Sequence, residues 1–472
     1  MFKDMYYMLA SSLLRFLTGV AVFVILARAW GVKEFGAFMY CYTISMLAVI
    51  LVEYGFSLQV VRDVAREPER VKEIVGRAFT VKTLLTAALL LMTAAAIPIM
   101  HLHGRLVTLI WLLLGAAIAS SFGMLFNLPF RGLGRFRIET RVVMISNLVL
   151  LIIVLALVFM GFGLVPVACG FLLSRLLYFA LSWNAYARYT GGFELPRADG
   201  RQVLSSLRTG LPFGVHVALA TLYFQVDTLL IHHFLGAEGV GIYQAGIRIV
   251  MAGLILADVL TNVYLPRLSM SESRAGLVEI GTRMTRHLVF IGAIGSTVMV
   301  IFAEWIVQLL YGKGYSLVAH FLPLLAVVFF LRYFAASHGC LLTVANRQVI
   351  RAIGVSIALV SNITLNLVLI PRLGLMGAVY TSIITHVVLD AIYVLFAWRQ
   401  VRSLMIEWRV TLMLALILLG NLGALTLPLG LDWVKIAYTA TVVGLIALLG
   451  IEGREWRSLY RRIFRESPAF AS

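Results

Sequence analysis

Apolar runs long enough to cross a bilayer recur from one end of this chain to the other. That recurrence limits the fold more than any motif does. The runs are read at 9–30, 36–57, 79–100, 106–128, 142–161, 163–183, 211–235, 240–266, 286–311, 319–341, 352–372, 374–398, 409–428 and 432–451. A helix needs about 20 mostly apolar residues to span the roughly 30 Å hydrocarbon core. Only 13% of the residues are charged and 61% are hydrophobic, with a mean hydropathy of +0.96. An ordinary soluble domain carries about 25% charged residues. The chain reads as an all-α polytopic membrane protein of about 14 transmembrane helices. The first run has no small-residue cleavage motif and reads as a retained helix. The longest connection, 184–210, has no room for a soluble domain.

The formal charge of +17 is sorted by side. With the N-terminus inside, 29 of the 39 Lys and Arg flank the spans on that side and six lie on the other. This is the positive-inside pattern, and it predicts cytoplasmic N- and C-termini. It accounts for the basic balance without nucleic acid. The basic tail from Arg454 to Arg465 is expected on anionic lipid. The three cysteines, Cys41, Cys169 and Cys340, show neither disulfide nor zinc spacing.

The halves of the chain repeat. A shift of 205 residues places Gly31 on Gly236, Gly36 on Gly241, Glu53 on Asp258 and Arg62 on Arg267 without a gap. A shift of 211 places 161–168 on 372–379 and Arg135 on Asn346. The copies are six spans apart, so both halves have the same topology. Parallel repeats with a site between them are a transporter architecture. The predicted organisation is an N-lobe at 1–190, a cytoplasmic linker at 191–210, a C-lobe at 211–400, and spans 13 and 14 with the tail at 401–472.

Several segments carry a resemblance: Ala-Arg-x-x-Gly-x-x-x-Phe-Gly at 27–36, Glu53-Tyr54-Gly55, Arg62, Asp227, Leu-Gly-x-x-x-Val-Gly-x-Tyr at 235–243, and Gly-Leu-Met-Gly-Ala at 374–378. In order and spacing the chain resembles, over about residues 5–400, the polysaccharide-biosynthesis (Wzx-type O-antigen) flippases. That group belongs to the multidrug/oligosaccharidyl-lipid/polysaccharide exporter superfamily. The resemblance implies two six-helix bundles, a V-shaped central cavity and alternating access in the inner membrane. It implies a polyprenyl-pyrophosphate-linked oligosaccharide as cargo, with a polysaccharide polymerase and glycosyltransferases as partners in lipopolysaccharide or polysaccharide synthesis. It implies no cofactor.

Ionisable residues at membrane depth point to cavities or partners. In span 8, Gln244, Arg248, Asp258 and Asn262 fall within about 80° of one another on a helical wheel. His216, Tyr223 and Asp227 share a face of span 7; Ser11, Arg15 and Thr18 share one of span 1. Span 12 aligns Ser382, His386, Asp390 and Tyr393. Arg15, Arg248, Arg332 and Arg175 are the candidate substrate-binding residues, because guanidinium stays charged at low dielectric and grips phosphate bidentately. Snorkelling to the cytoplasmic face is the competing account of Arg15, Arg175 and Arg332; for Arg248 it is a salt bridge to Asp227. Asp227, Asp258 and Glu53 are candidates for proton or sodium coupling, or for balancing those arginines. For Glu53 and Asp258 the simpler expectation is an ion pair with Arg62 or Arg267.

His101-x-His103 has no third ligand, and Arg131-Gly-Leu-Gly-Arg-Phe follows no strand, so neither reads as a metal or nucleotide site. No nucleophile–base constellation appears, and the short outer loops argue against a polyprenol-dependent glycosyltransferase. A cation-coupled multidrug antiporter would want acid in the N-lobe, where span 1 carries Arg15 instead. A lipid II-type peptidoglycan precursor flippase is the remaining alternative.

Overall fold

In the computed structural model the described residues are 2–99, 101–194, 200–271, 273–401, 403, 405–426 and 432–450. The linker stretch 195–199, the basic tail and the side chains of Ser11 and His216 lie outside the description. The described residues form α1 (Phe2–Glu53), α2 (Phe56–Arg66), α3 (Val71–Ile99), α4 (Arg105–Gly132), α5 (Phe136–Phe159), α6 (Leu164–Thr190) and α7 (Gly200–Ser269). They continue with α8 (Arg274–Ile301), α9 (Ala303–Leu310), α10 (Ser316–Val344), α11 (Gln348–Leu373), α12 (Leu375–Val401), α13 (Trp408–Thr426) and α14 (Asp432–Gly450). In hydrocarbon the helix satisfies its own backbone, which is why this chemistry is repeated throughout.

Eleven of these helices are long and apolar enough to cross a membrane. Two of them, α1 and α7, are double-length and break at Gly31 (φ 73°) and Gly236 (φ 70°). Each therefore supplies two crossings, and α13 supplies one more. The expected fourteen crossings are borne out. The two breaks stand at equivalent repeat positions, where glycine alone adopts a positive φ without strain.

Two elements are not crossings. Tyr54 (φ 39°) and Gly55 (φ 78°) end α1 and turn the chain into α2. There Phe56, Val60 and Val64 are buried, while Arg62, Asp63 and Arg66 stay partly or fully exposed. This one-sided spacing makes α2 an interfacial helix rather than a span. It packs closely on α4: a Cβ on Gly132 would come 2.9 Å from the Val61 carbonyl oxygen. The other element is α9, a short helix between α8 and α10.

The chain divides into two compact units. Unit 1 holds residues up to Arg248, Leu310–Tyr315 and Leu359–Ala378. Unit 2 holds Ile249–Leu309, Ser316–Ala358 and the chain from Val379.

In unit 1 the segments following the two glycine breaks cross at backbone contact. A Cβ on Gly36 would lie 1.7 Å from the Ala237 carbonyl oxygen, and one on Gly241 would lie 2.1 Å from that of Val32. Since Gly36 and Gly241 are themselves repeat equivalents, the crossing is reciprocal. Tyr315 Oη donates to the Ala27 carbonyl and Tyr311 Oη to the Ala245 carbonyl, both at 3.0 Å. Tyr40 stacks on His232 with ring centroids 3.5 Å apart.

In unit 2, α13 and α14 pack on α8. Val289 and Ala293 meet Val410, Met413, Ile417, Val442 and Ile446, and Tyr438 Oη donates to the Gly420 carbonyl at 2.7 Å.

The hydrogen bonding of the α4–α5 and α10–α11 turns also repeats. Arg135 N bonds Phe130 O at 2.7 Å and Arg347 N bonds Leu342 O at 2.8 Å. Gly134 (φ 67°) matches Asn346 (φ 56°). The register at this turn therefore pairs Arg135 with Arg347, one residue beyond the Asn346 expected from the sequence. Neither text nor spacing reveals which residue takes the left-handed conformation.

Replacing Gly36 or Gly241 by Ala is expected to destabilise the protein by about 1–3 kcal/mol through overpacking. The measurement is the thermal unfolding midpoint in detergent. Gly19→Ala, with nothing within 4 Å of the added carbon, is expected not to lower it.

Candidate functional site

Three of the four candidate arginines lie in unit 1. Arg248 places its guanidinium carbon 3.9 Å from the centre of the Phe23 ring, a cation–π contact. Phe23 meets Tyr42 edge-on at 5.3 Å. Tyr42 lies within electrostatic reach of both Arg248 and Arg175. Arg15 lies within reach of Arg175 and of Tyr178. No carboxylate among the described residues pairs with Arg15, Arg175 or Arg248, and Arg248 Nε is buried without a hydrogen-bond acceptor. The result is a cluster of uncompensated guanidinium groups backed by aromatic rings. Such a cluster is costly at membrane depth unless an anion or water meets it.

The expected rival for Arg248 fails on geometry. Asp227 is committed elsewhere in unit 1: Tyr243 Oη donates to Oδ2 and Asn366 Nδ2 donates to Oδ1, both at 2.7 Å. Asn366 Nδ2 also reaches Asn362 Oδ1 at 3.0 Å, while Asn366 Oδ1 is buried without a partner. Beside this group, Gln244 Nε2 donates to Thr228 Oγ1 at 2.6 Å. The cluster is buried and rich in oxygen donors, with a single carboxylate.

Arg332 belongs to unit 2. Its Nη1 approaches Met251 Sδ at 3.5 Å, and it lies within electrostatic reach of Asp258 and His386. It is not part of the unit 1 arginine cluster. Asp258 and Asn262 are exposed side chains on α7.

The expected helix-end pairs are replaced by others. Glu53 receives Lys82 Nζ at 3.4 Å and Ser57 Oγ at 3.3 Å, rather than Arg62. Arg62 pairs with Asp63 at 2.9 Å. Lys82 is 1% exposed and also donates to the Ser121 carbonyl at 3.3 Å. Asp258 meets the charge of Arg332, while Arg267 faces the Tyr264 ring at 6.0 Å. The physical reason is the same in both cases: a charge near the interface finds a partner across the bundle, so the nearest residue along its own helix does not decide. The Arg131-Gly-Leu-Gly-Arg-Phe turn serves a salt bridge. Arg131 Nε and Nη2 grip the Glu139 carboxylate at 2.5–2.9 Å.

Sequence comparison matches residues 1–272 to the polysaccharide biosynthesis proteins, more than half of the chain. The chain belongs to that family. The expected membership is borne out. A search among curated proteins finds no match. Among solved structures, the fold is similar to that of the lipid II flippase MurJ in an inward closed conformation, with a TM-score of 0.74 and 14% identity over 97% of this chain and 99% of that one. An inward-facing multidrug resistance MATE transporter of the MOP superfamily matches with a TM-score of 0.66 and 17% identity, over 83% of this chain and 95% of that one. A MOP superfamily transporter from Pyrococcus furiosus, described by the reverse polarity of its binding pocket, matches at 0.61 and 16%, over 85% and 95%. These TM-scores show a shared fold: this family member is a multi-pass membrane protein with a MurJ- and MATE-like fold.

Sequence reasoning missed Asn362 and Asn366, Tyr42 and Lys82. Two asparagines four residues apart in an apolar helix were the available signal for the first pair. Tyr42 had none, because its role depends on which helix it faces.

Glu53→Gln leaves the Lys82 ammonium buried without its charge partner. The expected cost is about 3–5 kcal/mol, read as a lowered unfolding midpoint in detergent. The double variant Glu53→Gln/Lys82→Met is expected to recover most of it.

Proposed function

We propose that this protein is a flippase that carries a polyprenyl-pyrophosphate-linked oligosaccharide across the inner membrane by alternating access, and that it is not an enzyme. The carrying observation is the set Arg15, Arg175 and Arg248, without carboxylate partners among the described residues, with Arg248 over the Phe23 ring, Arg175 within electrostatic reach of Tyr42 and Arg15 within reach of Arg175 and Tyr178. Pyrophosphate offers what those groups lack: two adjacent anionic centres whose oxygens accept bidentate guanidinium bonds. A cationic drug would meet repulsion there. Family membership favours a saccharide-bearing cargo over other anions. Arg332, in the other unit, is proposed as a second contact for the anion, reached at a different stage of the cycle.

We read both termini as cytoplasmic from the positive-inside pattern. On that reading the Gly36–Gly241 crossing, in backbone contact here, lies toward the outer face. Alternating access requires that crossing to part. Asp227 is proposed as the coupling residue of unit 1. Its neighbours Asn362, Asn366 and Thr228 supply the oxygen ligands that a hard cation such as sodium takes. Asp258 and Glu53 are proposed as charge-balancing groups, toward Arg332 and Lys82 respectively. A polysaccharide polymerase and glycosyltransferases are the proposed partners in synthesis.

A lipid II-type precursor is the second reading. It is favoured because the structural likeness to MurJ covers 97% of the chain, α13 and α14 included. Competition between the two labelled lipids in proteoliposomes separates the readings.

Arg15→Ala and Arg248→Ala are each expected to slow flipping of a labelled polyprenyl-pyrophosphate glycan in proteoliposomes about 10- to 100-fold. That corresponds to a lost charge-assisted contact of about 1.5–3 kcal/mol. Arg248→Lys keeps the charge but not the fork and remains impaired. Unchanged flipping in both alanine variants overturns the pyrophosphate clamp. Asp227→Asn is expected to abolish the response of flipping to an imposed sodium gradient, measured in the same vesicles.

A further inference from the structure

The transport reading leaves one buried acid of unit 2 without a role. Asp390 lies on α12, about 22 Å of helix from Leu375 and about 16 Å from Val401. It is 6% exposed, and both carboxylate oxygens are buried with no hydrogen-bond donor among the described residues. Asp227, Glu53 and Glu139 each have a partner: Asp227 its tyrosine and amide, Glu53 its lysine, Glu139 its arginine.

The charged and titratable groups around it in unit 2 are engaged elsewhere. His386, one turn earlier on the same face, directs Nδ1 at the Ser382 carbonyl at 2.7 Å. On α10, His338 Nδ1 lies 2.9 Å from Ser337 Oγ, and Arg332 acts on Asp258 and His386. Arg351 on α11 donates to Thr343 Oγ1 at 2.5 Å, with its Nε buried and unpartnered. Tyr393, one turn beyond Asp390, shares a side-chain hydrogen bond with Arg351 and lies within electrostatic reach of Asp390, so it stands between the two.

An ionised carboxylate in this setting loses several kcal/mol of solvation with no return. A proton removes that penalty at once. The complementary deficit is in the same unit. By the register of the repeated turns, Arg351 stands where the N-terminal half has Glu139, so its own turn offers Thr343 in place of an opposite charge.

We propose that Asp390 is a proton-binding site of unit 2, protonated in the conformation described here and ionised when a rearrangement of α12 brings it to Arg351. The O–H bond breaks heterolytically, the proton leaves to water on whichever side the cavity is then open, and the carboxylate takes a guanidinium partner. The consequence for transport rests on the flippase reading: unit 2 is driven by protons, independently of the cation proposed at Asp227.

Infrared difference spectroscopy on the full-length protein in lipid tests the site without transport. At neutral pH the wild type is expected to show a carboxylic-acid carbonyl stretch, sensitive to deuteration, that is absent from Asp390→Asn and present in Asp227→Asn. Asp390→Glu is expected to move the band, which keeps the test valid if the asparagine variant folds poorly. Identical spectra for wild type and Asp390→Asn across the pH range overturn the proposal. In proteoliposomes, Asp390→Asn is expected to lose the acceleration that an imposed pH gradient gives while keeping any sodium response. A pH response equal to that of the wild type overturns the coupling. If the band is found but no glycolipid is flipped by the wild type, the proton site stands and the cargo reading falls.

Discussion

Hydrocarbon offers no hydrogen-bond partner, and the rest of this structure follows from how the chain meets that condition. Backbone groups are satisfied inside helices. Hydroxyls of Thr18, Ser45, Thr80, Thr86, Ser182 and Thr385 close onto carbonyls three or four residues back in their own helices. Charged groups find partners across the bundle, as Lys82 does in Glu53 and Arg286 in Glu407. Among the described residues, Arg15, Arg175 and Arg248 in one unit and Asp390 in the other stand out against that background for lacking an opposite charge.

The glycine breaks give the same condition a mechanical form. At Gly31 and Gly236 a continuous double-length helix reverses direction through one residue. That places Gly36 and Gly241 where the two repeats touch through their backbones. A contact made by small residues and backbone atoms holds by close packing, with no ion pair to break. It suits the alternating-access cycle proposed above, in which that contact would form and part repeatedly.

The spans, their number and the family were legible in the chain because apolar runs and loop charges are local in sequence. The repeat was legible through its glycines. The polar partners were less so. Helical wheels placed Gln244 and Arg248 on one face correctly, yet could not say that Gln244 would bind Thr228 while Arg248 covered Phe23. Glu53 and Asp258 stood near basic residues in sequence and chose others in space. Asp390 was seen in its stripe beside His386 and Tyr393, but its isolation depends on groups from two other helices turning elsewhere.

Apolar runs, loop charges and the glycine repeat are enough to say that this chain inhabits a membrane, crosses it about fourteen times in two parallel halves with an added pair, and carries arginines within its spans. Those conclusions rest on periodicity, length and charge count, all of which are set residue by residue. Which charges are compensated follows from the packing of the helices. Compensation is a property of pairs tens or hundreds of residues apart, 29 between Glu53 and Lys82 and 139 between Asp227 and Asn366. In a low-dielectric interior the position of a partner, to within an ångström, separates a structural ion pair from a charge held ready for a ligand.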